Sequence, residues 1–309
     1  MRFLPARINA VSSRLALFCL LLFCPLGEPI PPVFTLALGG DVMLGRGVAQ
    51  SLDGDWQAAF AQVRPWLAGA DLAFANLESP LTTMPHLAGG YDLRAAPGSV
   101  AALRLAGFDL LSLANNHSLD AGASGRAETL ATLNAAGIAG VVEHNAGALV
   151  SRGGPHPTLG YQLLAVDDTV APLDVETAGR AVAAAAQQAE LVVVSVHWGG
   201  EYQAAPSPRQ RAIAKALAQA GADLVVGHGP HVLQPVEWEG ETLVAYSLGN
   251  LLFDQPYPAD CRRGVILRVT CSASCAQLSV EFVPTVVERG RVRPAHAESR
   301  SAILARLVH

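Results

Sequence analysis

From Val33 onward the chain alternates short, continuously apolar runs with longer stretches of helical periodicity. The runs Val33 to Leu38, Asp71 to Ala75, Phe108 to Leu113, Leu191 to Val196, Asp223 to Val226 and Thr242 to Tyr246 show no polar alternation, the pattern of strands buried on both faces. Between them, Trp56 to Leu67, Ser99 to Ala106, Gly125 to Ala136, Thr177 to Ala189 and Pro208 to Ala220 read as helices. Ser207-Pro208 supplies a start with proline in the first turn, and Gly221 a stop. Later, Gly264 to Thr270 and Gln277 to Val283 alternate, which predicts a hairpin. The succession predicts an α/β fold: one domain over 33–290, then a tail from 291 to 309. The loop Arg152 to Pro157 is the best place for an internal boundary.

The N-terminus has a different pattern. Arg2, Arg7 and Arg14 precede an apolar run from Leu15 to Cys24. That run is short of the roughly 20 residues a membrane span needs, and it has the basic flank of a secretory signal. Residues 1–29 are therefore expected to be a signal peptide, or an uncleaved signal anchor, and the protein to be exported to the periplasm or cell envelope. Across all 309 residues, 51% are hydrophobic and 15% charged, too apolar for a disordered chain. The net charge of −5 and the lack of any Lys/Arg cluster exclude a nucleic-acid partner. Cys271 and Cys275 flank the predicted hairpin turn, where a disulfide is expected, leaving Cys261 over.

The polar residues fall at strand exits. Leu38 precedes Gly39-Gly40-Asp41, and Ala75 precedes Asn76-Leu77-Glu78. Leu113 leads into Ala114-Asn115-Asn116-His117 with Asp120 beyond, Val196 into His197-Trp198-Gly199-Gly200-Glu201, and Val226 into Gly227-His228-Gly229-Pro230-His231. Carboxyl ends of strands in open α/β sheets are where ligands bind. A carboxylate and imidazole set of this size can hold one or two divalent cations. Each group alone also has a plain structural reading, Asp41 as a turn cap and His197 as a core histidine among them; five in succession favour a metal site. His86, His144, His156 and His296 follow no such pattern. Asn250, in Tyr246-Ser247-Leu248-Gly249-Asn250, either lines the pocket or takes a left-handed turn.

Gly40-Asp41-Val42-Met43-Leu44-Gly45-Arg46, Ala75-Asn76-Leu77-Glu78, Leu113-Ala114-Asn115-Asn116-His117 with Asp120, His197-Trp198-Gly199 with Glu201-Tyr202, His231-Val232-Leu233-Gln234 and Tyr246-Ser247-Leu248-Gly249-Asn250 with Phe253-Asp254-Gln255 resemble the motifs of the CapA family of capsule-synthesis proteins, associated with poly-γ-glutamate. That family is similar to calcineurin-like metallophosphatases, which implies a four-layer α/β/β/α sandwich. The resemblance implies metal ligands at Asp41, Glu78, Asn116, His197, His228 and His231. It implies a general acid at His117 aimed by Asp120, and substrate contacts from Arg46, Asn76, Asn115, Trp198, Glu201, Tyr202 and Asn250. The phosphatase Asp-x-His motif falls on Asp41-Val42-Met43, so one ligand is replaced by Met43. Relatives more often carry His at the position of Gly229. One tightly held ion with a looser second, Mn, Zn or Fe, is expected.

The function expected is a metal-dependent hydrolase or transferase of the cell envelope. Its substrate would be an anionic polymer such as poly-γ-glutamate or a phosphorylated small molecule, and its setting a membrane synthesis complex. The alternative is a non-catalytic factor that uses the same cleft to bind polymer.

Overall fold

The computed structural model describes residues 33–87, 89–142, 146–150, 159–272 and 278–308. Fourteen strands are formed among them: β1 (Val33–Val42), β2 (Leu72–Leu77), β3 (Leu110–Ser112), β4 (Ala139–Val141), β5 (Ala146–Val150), β6 (Leu159–Asp167), β7 (Leu191–His197), β8 (Leu224–His228), β9 (Leu233–Glu239), β10 (Thr242–Leu248), β11 (Asn250–Leu252), β12 (Arg263–Ser272), β13 (Leu278–Glu288) and β14 (Arg291–Pro294). The helices are α1 (Arg46–Leu52), α2 (Arg64–Ala68), α3 (Val100–Ala106), α4 (Gly122–Ala135), α5 (Val175–Ala186), α6 (Pro208–Gln219) and α7 (Ala297–Leu307).

The strands make two mixed sheets, ordered β14-β13-β12-β1-β2-β3-β4 with β11 beside β1, and β5-β6-β7-β8-β10-β9. In the first, β1, β2 and β3 run parallel, and in the second β7, β8 and β10 do. The carboxyl ends of each parallel set therefore share one edge of their sheet. Three apolar clusters hold these elements. Leu36, Leu38 and Phe74 of the first sheet meet Leu163, Val193 and Val226 of the second. The opposite face of the first sheet, with Ala37, Ala73 and Leu111, packs on Val48, Leu67, Leu103 and Leu133. The opposite face of the second, with Val192, Val194 and Val225, packs on Ala178, Val182, Ile213 and Leu217. Residues alternate between clusters along each strand because successive side chains point to opposite faces, which is why the strands read as continuously apolar.

Side-chain caps start α5 and α6. Ser207 accepts from the Gln210 backbone N–H while Gln210 Oε1 accepts from the Ser207 backbone N–H, a reciprocal cap that starts α6. Asp174 caps α5 through the Thr177 N–H.

The stretch Trp56 to Leu67 is not one helix. A 3-10 turn at Trp56–Ala58 is followed by the short α2; Pro65 lacks the N–H a helix interior requires and sits instead in the first turn of α2. The expected tail is also ordered: β14 extends the first sheet, and α7 buries Ile303 and Leu307 in the cluster between the sheets. Arg306 adds an ion pair with Asp260. The predicted hairpin is β12 with β13, paired from Arg263↔Val286 to Cys271↔Leu278. Cys271 is disulfide-bonded and Cys261 is a buried free thiol. Cys275, the loop Arg152 to Pro157 and the segment 1–29 lie outside the described residues. No helix among the described residues is long and apolar enough to cross a membrane.

Candidate functional site

The edge of the first sheet carries Asp41 at the end of β1, in register with Asn76 of β2 on one side and Asn250 of β11 on the other. Glu78 follows β2, its N–H donating to Val42 O at 2.9 Å. On the second sheet, His197 ends β7 in register with His228, which ends β8. Close backbone approach brings these parts together. Asp41 N donates to Gly249 O at 3.0 Å, and a Cβ on Gly40 would lie 1.9 Å from that same oxygen.

Asp41, Glu78 and His197 are all buried and each offers a ligand atom, the three lying within 4.8 Å of one another, so they form a candidate metal-binding triad. His231 joins them: its Nδ1 lies 3.0 Å from Asp41 Oδ2 and 3.0 Å from Asn250 Oδ1, and its Nε2 lies 3.8 Å from Glu78 Oε2. The Asn250 amide donates to Gln255 Oε1 and Cys261 O, which turns its oxygen toward His231. His228 Nδ1 is 3.4 Å from Asp41 Oδ1, attractive but outside hydrogen-bonding geometry. Both His228 nitrogens and Glu78 Oε2 are buried without a hydrogen-bond partner.

Burial by itself raises the Asp41 carboxyl, but His228 and His231 together hold it well below the ordinary carboxylate range. Burial, reinforced by the Asp41 and Glu201 charges, pushes Glu78 well above its ordinary value against the pull of His231. Burial drives His197 down to about 3, leaving it neutral. Burial also pulls on His231, yet the Glu78 and Asp41 carboxylates outweigh it and raise it to about 9.

Several expected site residues stand elsewhere. Asn116 is exposed, and Asn115 is the buried amide. Asn115 Oδ1 accepts the His117 N–H at 3.1 Å, closing a tight turn that aims Asn115 inward and Asn116 outward. Asn76 and Asn115 are buried against each other rather than facing substrate space. Trp198 is fully buried, with Nε1 donating to Tyr246 O at 2.9 Å: strand alternation after His197 turns it into the α5/α6 cluster. Asn250 backs His231 from a buried position. Met43 is buried in the cluster beneath the helices of the first sheet, its sulfur accepting the Gly45 N–H at 3.0 Å, so it adds no donor to the site. His86 and His296 lie outside the cluster, and His144 and His156 fall outside the described residues.

Beside the cluster opens a recess of about 320 Å³ into which His231, His117, Arg46, Glu201 and Tyr202 project. His117 Nδ1 lies 2.8 Å from Asp120 Oδ2, and Asp120 is buried. Arg46, in a left-handed backbone conformation, is paired with Asp254 and lies over the Tyr91 and Phe253 rings at 5.5 and 5.9 Å. The loop bearing Glu201 and Tyr202 is tied down from below: Gln210 donates to Gln234 Oε1, and Gln234 donates to Gln203 O and Ala205 O. Burial and Glu201 push the Tyr202 hydroxyl up to about 12. Tyr91 and Tyr257 in the aromatic wall were missed by sequence reasoning, since nothing in local pattern sets those rings apart from others, while Phe253 between them stands in a family motif without having been given a site role.

Residues 35–152 and 150–255 match the family model described as bacterial capsule synthesis protein PGA_cap. The chain is 32% identical over 285 residues to the capsule biosynthesis protein CapA of Bacillus anthracis, covering 84% of this chain and 69% of that protein. It is 34% identical over 243 residues to the PGA biosynthesis protein CapA of Bacillus subtilis (strain 168), covering 72% of this chain and 64% of that one, just under two thirds of its length. A solved structure of a hypothetical protein from Thermus thermophilus has a TM-score of 0.50 at 18% identity, covering 81% of this chain and 99% of that chain. That likeness concerns the fold.

Proposed function

The chain belongs to the bacterial capsule synthesis protein PGA_cap family, and on that premise we propose that it is an exported, metal-dependent hydrolase or transferase of the cell envelope. The observation that carries this reading is the buried triad of Asp41, Glu78 and His197 next to an open recess that holds His117. Glu78 Oε2 and both His228 nitrogens are buried without partners, a costly arrangement that a bound cation would relieve at the carboxylate oxygen and at one ring nitrogen. The donor set, carboxylate oxygens with imidazole nitrogens, suits Mn, Zn or Fe. Asp41, Glu78, His197, His228 and His231 would hold it.

A divalent cation in that set supplies Lewis acidity toward a phosphoryl or carbonyl oxygen and lowers the pKa of water. The chain's own groups supply the rest. Asp120 accepts a hydrogen bond from His117 Nδ1–H and so stabilises the doubly protonated ring, whose Nε2 proton goes to a leaving group. Arg46, held by Asp254, offers its remaining N–H groups to an anionic portion of the substrate. Glu201 and Tyr202 border the same space. The relatives' names, capsule biosynthesis and PGA biosynthesis proteins, support poly-γ-glutamate or its precursor as substrate, with a phosphate ester as the simpler chemical alternative. They also support an envelope setting; a membrane synthesis complex as partner belongs to the same proposal.

A second reading, a polymer-binding factor without turnover, is favoured by one observation: Met43 faces the core and leaves the set a ligand short. The two separate on a screen of γ-glutamyl peptides and generic phosphate esters with metal-loaded protein. Turnover that vanishes in His117→Ala while bound metal is retained supports the enzyme; tight polymer binding with no turnover by wild type supports the factor.

A further inference from the structure

Asn76 sits in the middle of the cluster, and its orientation is imposed through Asn115 by backbone groups. Asn115 Nδ2 donates to Leu77 O at 2.9 Å, and Asn115 Oδ1 accepts the His117 N–H at 3.1 Å. A carbonyl oxygen only accepts and an amide N–H only donates, so the Asn115 amide can point only one way. Its second hydrogen goes to Asn76 at 3.0 Å, and the Asn76 atom that receives it must be Oδ1. The Asn76 NH2 is thereby turned toward the cluster, 2.9 Å from Asp41 Oδ1, 3.1 Å from Glu78 Oε1 and 3.3 Å from His197 Nδ1.

We propose that Asn76, oriented by Asn115, is a positioning residue that makes this a single-cation site. Its NH2 faces one acceptor atom from each member of the triad and shares its two hydrogens among the three, holding two carboxylates together where mutual repulsion would part them. An N–H group has no lone pair to give a metal, so the side chain blocks a second cation from this flank. The atoms left without partners, Glu78 Oε2 and the His228 nitrogens, lie on groups that remain free to take the one ion. This inference rests on the metal-site reading above.

The test counts ions. Full-length wild type, Asn76→Asp and Asn76→Ala are titrated calorimetrically with Mn²⁺ and Zn²⁺, and bound metal is measured after dialysis. One equivalent is expected in wild type. Asn76→Asp exchanges a donor for a third carboxylate oxygen and is expected to take up a second equivalent, a gain that a merely structural role would not produce. Asn76→Ala is expected to keep one equivalent with at least about tenfold weaker affinity, since its ligands are no longer gathered. Two equivalents in wild type overturn the proposal whether or not the variants fold, as does a folded Asn76→Asp that still binds one. No metal in wild type or either variant would instead defeat the metal-site reading itself.

Discussion

Asp120 Oδ2 lies 2.8 Å from His117 Nδ1, and Asp120 is buried while the His117 ring reaches the recess. A buried carboxylate at Nδ1 selects the tautomer and aims the ring, so the two residues should act as a unit. His117→Ala is expected to lower turnover by about 10²–10⁴-fold, the usual contribution of a positioned acid. Asp120→Asn should fall in the same direction by about tenfold or more, because a neutral amide does not stabilise the doubly protonated ring that gives up its Nε2 proton. Metal content should be unchanged in both. Wild-type turnover in Asp120→Asn would remove Asp120 from the machinery.

Gly40 lets the first strand reach its neighbour. A Cβ there would meet Gly249 O at 1.9 Å, a backbone atom one residue before Asn250. Gly40→Ala should therefore destabilise the fold by about 3 kcal/mol or more, the range of severe overpacking and strain. Gly98, whose Cβ would meet nothing within 4 Å, provides the control. Thermal melts of both alanine variants decide the matter; similar melting temperatures would show that the two strands part without cost.

The strand exits that make up the site were legible because ligand-type residues recur after the strands of two parallel sets, β1 to β3 in one sheet and β7 to β8 in the other, and each set presents its carboxyl ends on one edge of its sheet. Side-chain direction was not legible. Asn115 and Asn116 are identical residues in one turn, and the bonds of Asn115 with the His117 N–H, Leu77 O and Asn76 Oδ1 decide which faces inward. Trp198 follows a site histidine in sequence, but the pleat sends it to the opposite face. The C-terminal helix escaped notice because two apolar residues, Ile303 and Leu307, carry its burial, too few for a periodic pattern.

Cys261 should be inert in the native state. It is free and buried, and burial, helped by the charges of Asp260, Glu201 and Asp41, pushes its thiol up to about 12. At pH 8 the thiolate fraction is then on the order of 10⁻⁴, and thiolate is the reactive form. Peptide mapping after iodoacetamide treatment is expected to find Cys261 unmodified in folded protein and labelled after denaturation. Rapid native labelling would show that the segment around Ala259–Arg262 opens readily.

Arg46 should govern binding more than chemistry. Asp254 accepts from Arg46 Nε at 3.2 Å and from Gly47 N at 2.9 Å, fixing both the guanidinium and the left-handed turn that carries it. Losing one charge-assisted bond to an anionic substrate costs about 1.5–3 kcal/mol. Arg46→Ala should thus raise KM by about tenfold or more with kcat little changed, the mark of binding lost equally from ground and transition states. Asp254→Asn should show a smaller shift in the same parameter. A fall in kcat at constant KM would instead place Arg46 on the reacting group.

Metal removal should be visible as lost stability. Glu78 Oε2 and the His228 nitrogens are buried without partners in the folded chain, so ion binding there favours the folded state directly. With free Mn²⁺ or Zn²⁺ at about 100 times its dissociation constant, the gain is about 2.7 kcal/mol. For a domain of this size that corresponds to roughly 5 °C in melting temperature. Ligand carboxylates must be ionised and ligand imidazoles neutral, so metal uptake releases protons and the shift should grow from pH 6 to pH 8. His197→Ala should lose most of it. Melting curves with metal and with chelator, at both pH values, make the comparison; a melting temperature indifferent to chelator at pH 8 would mean that the cluster holds no ion.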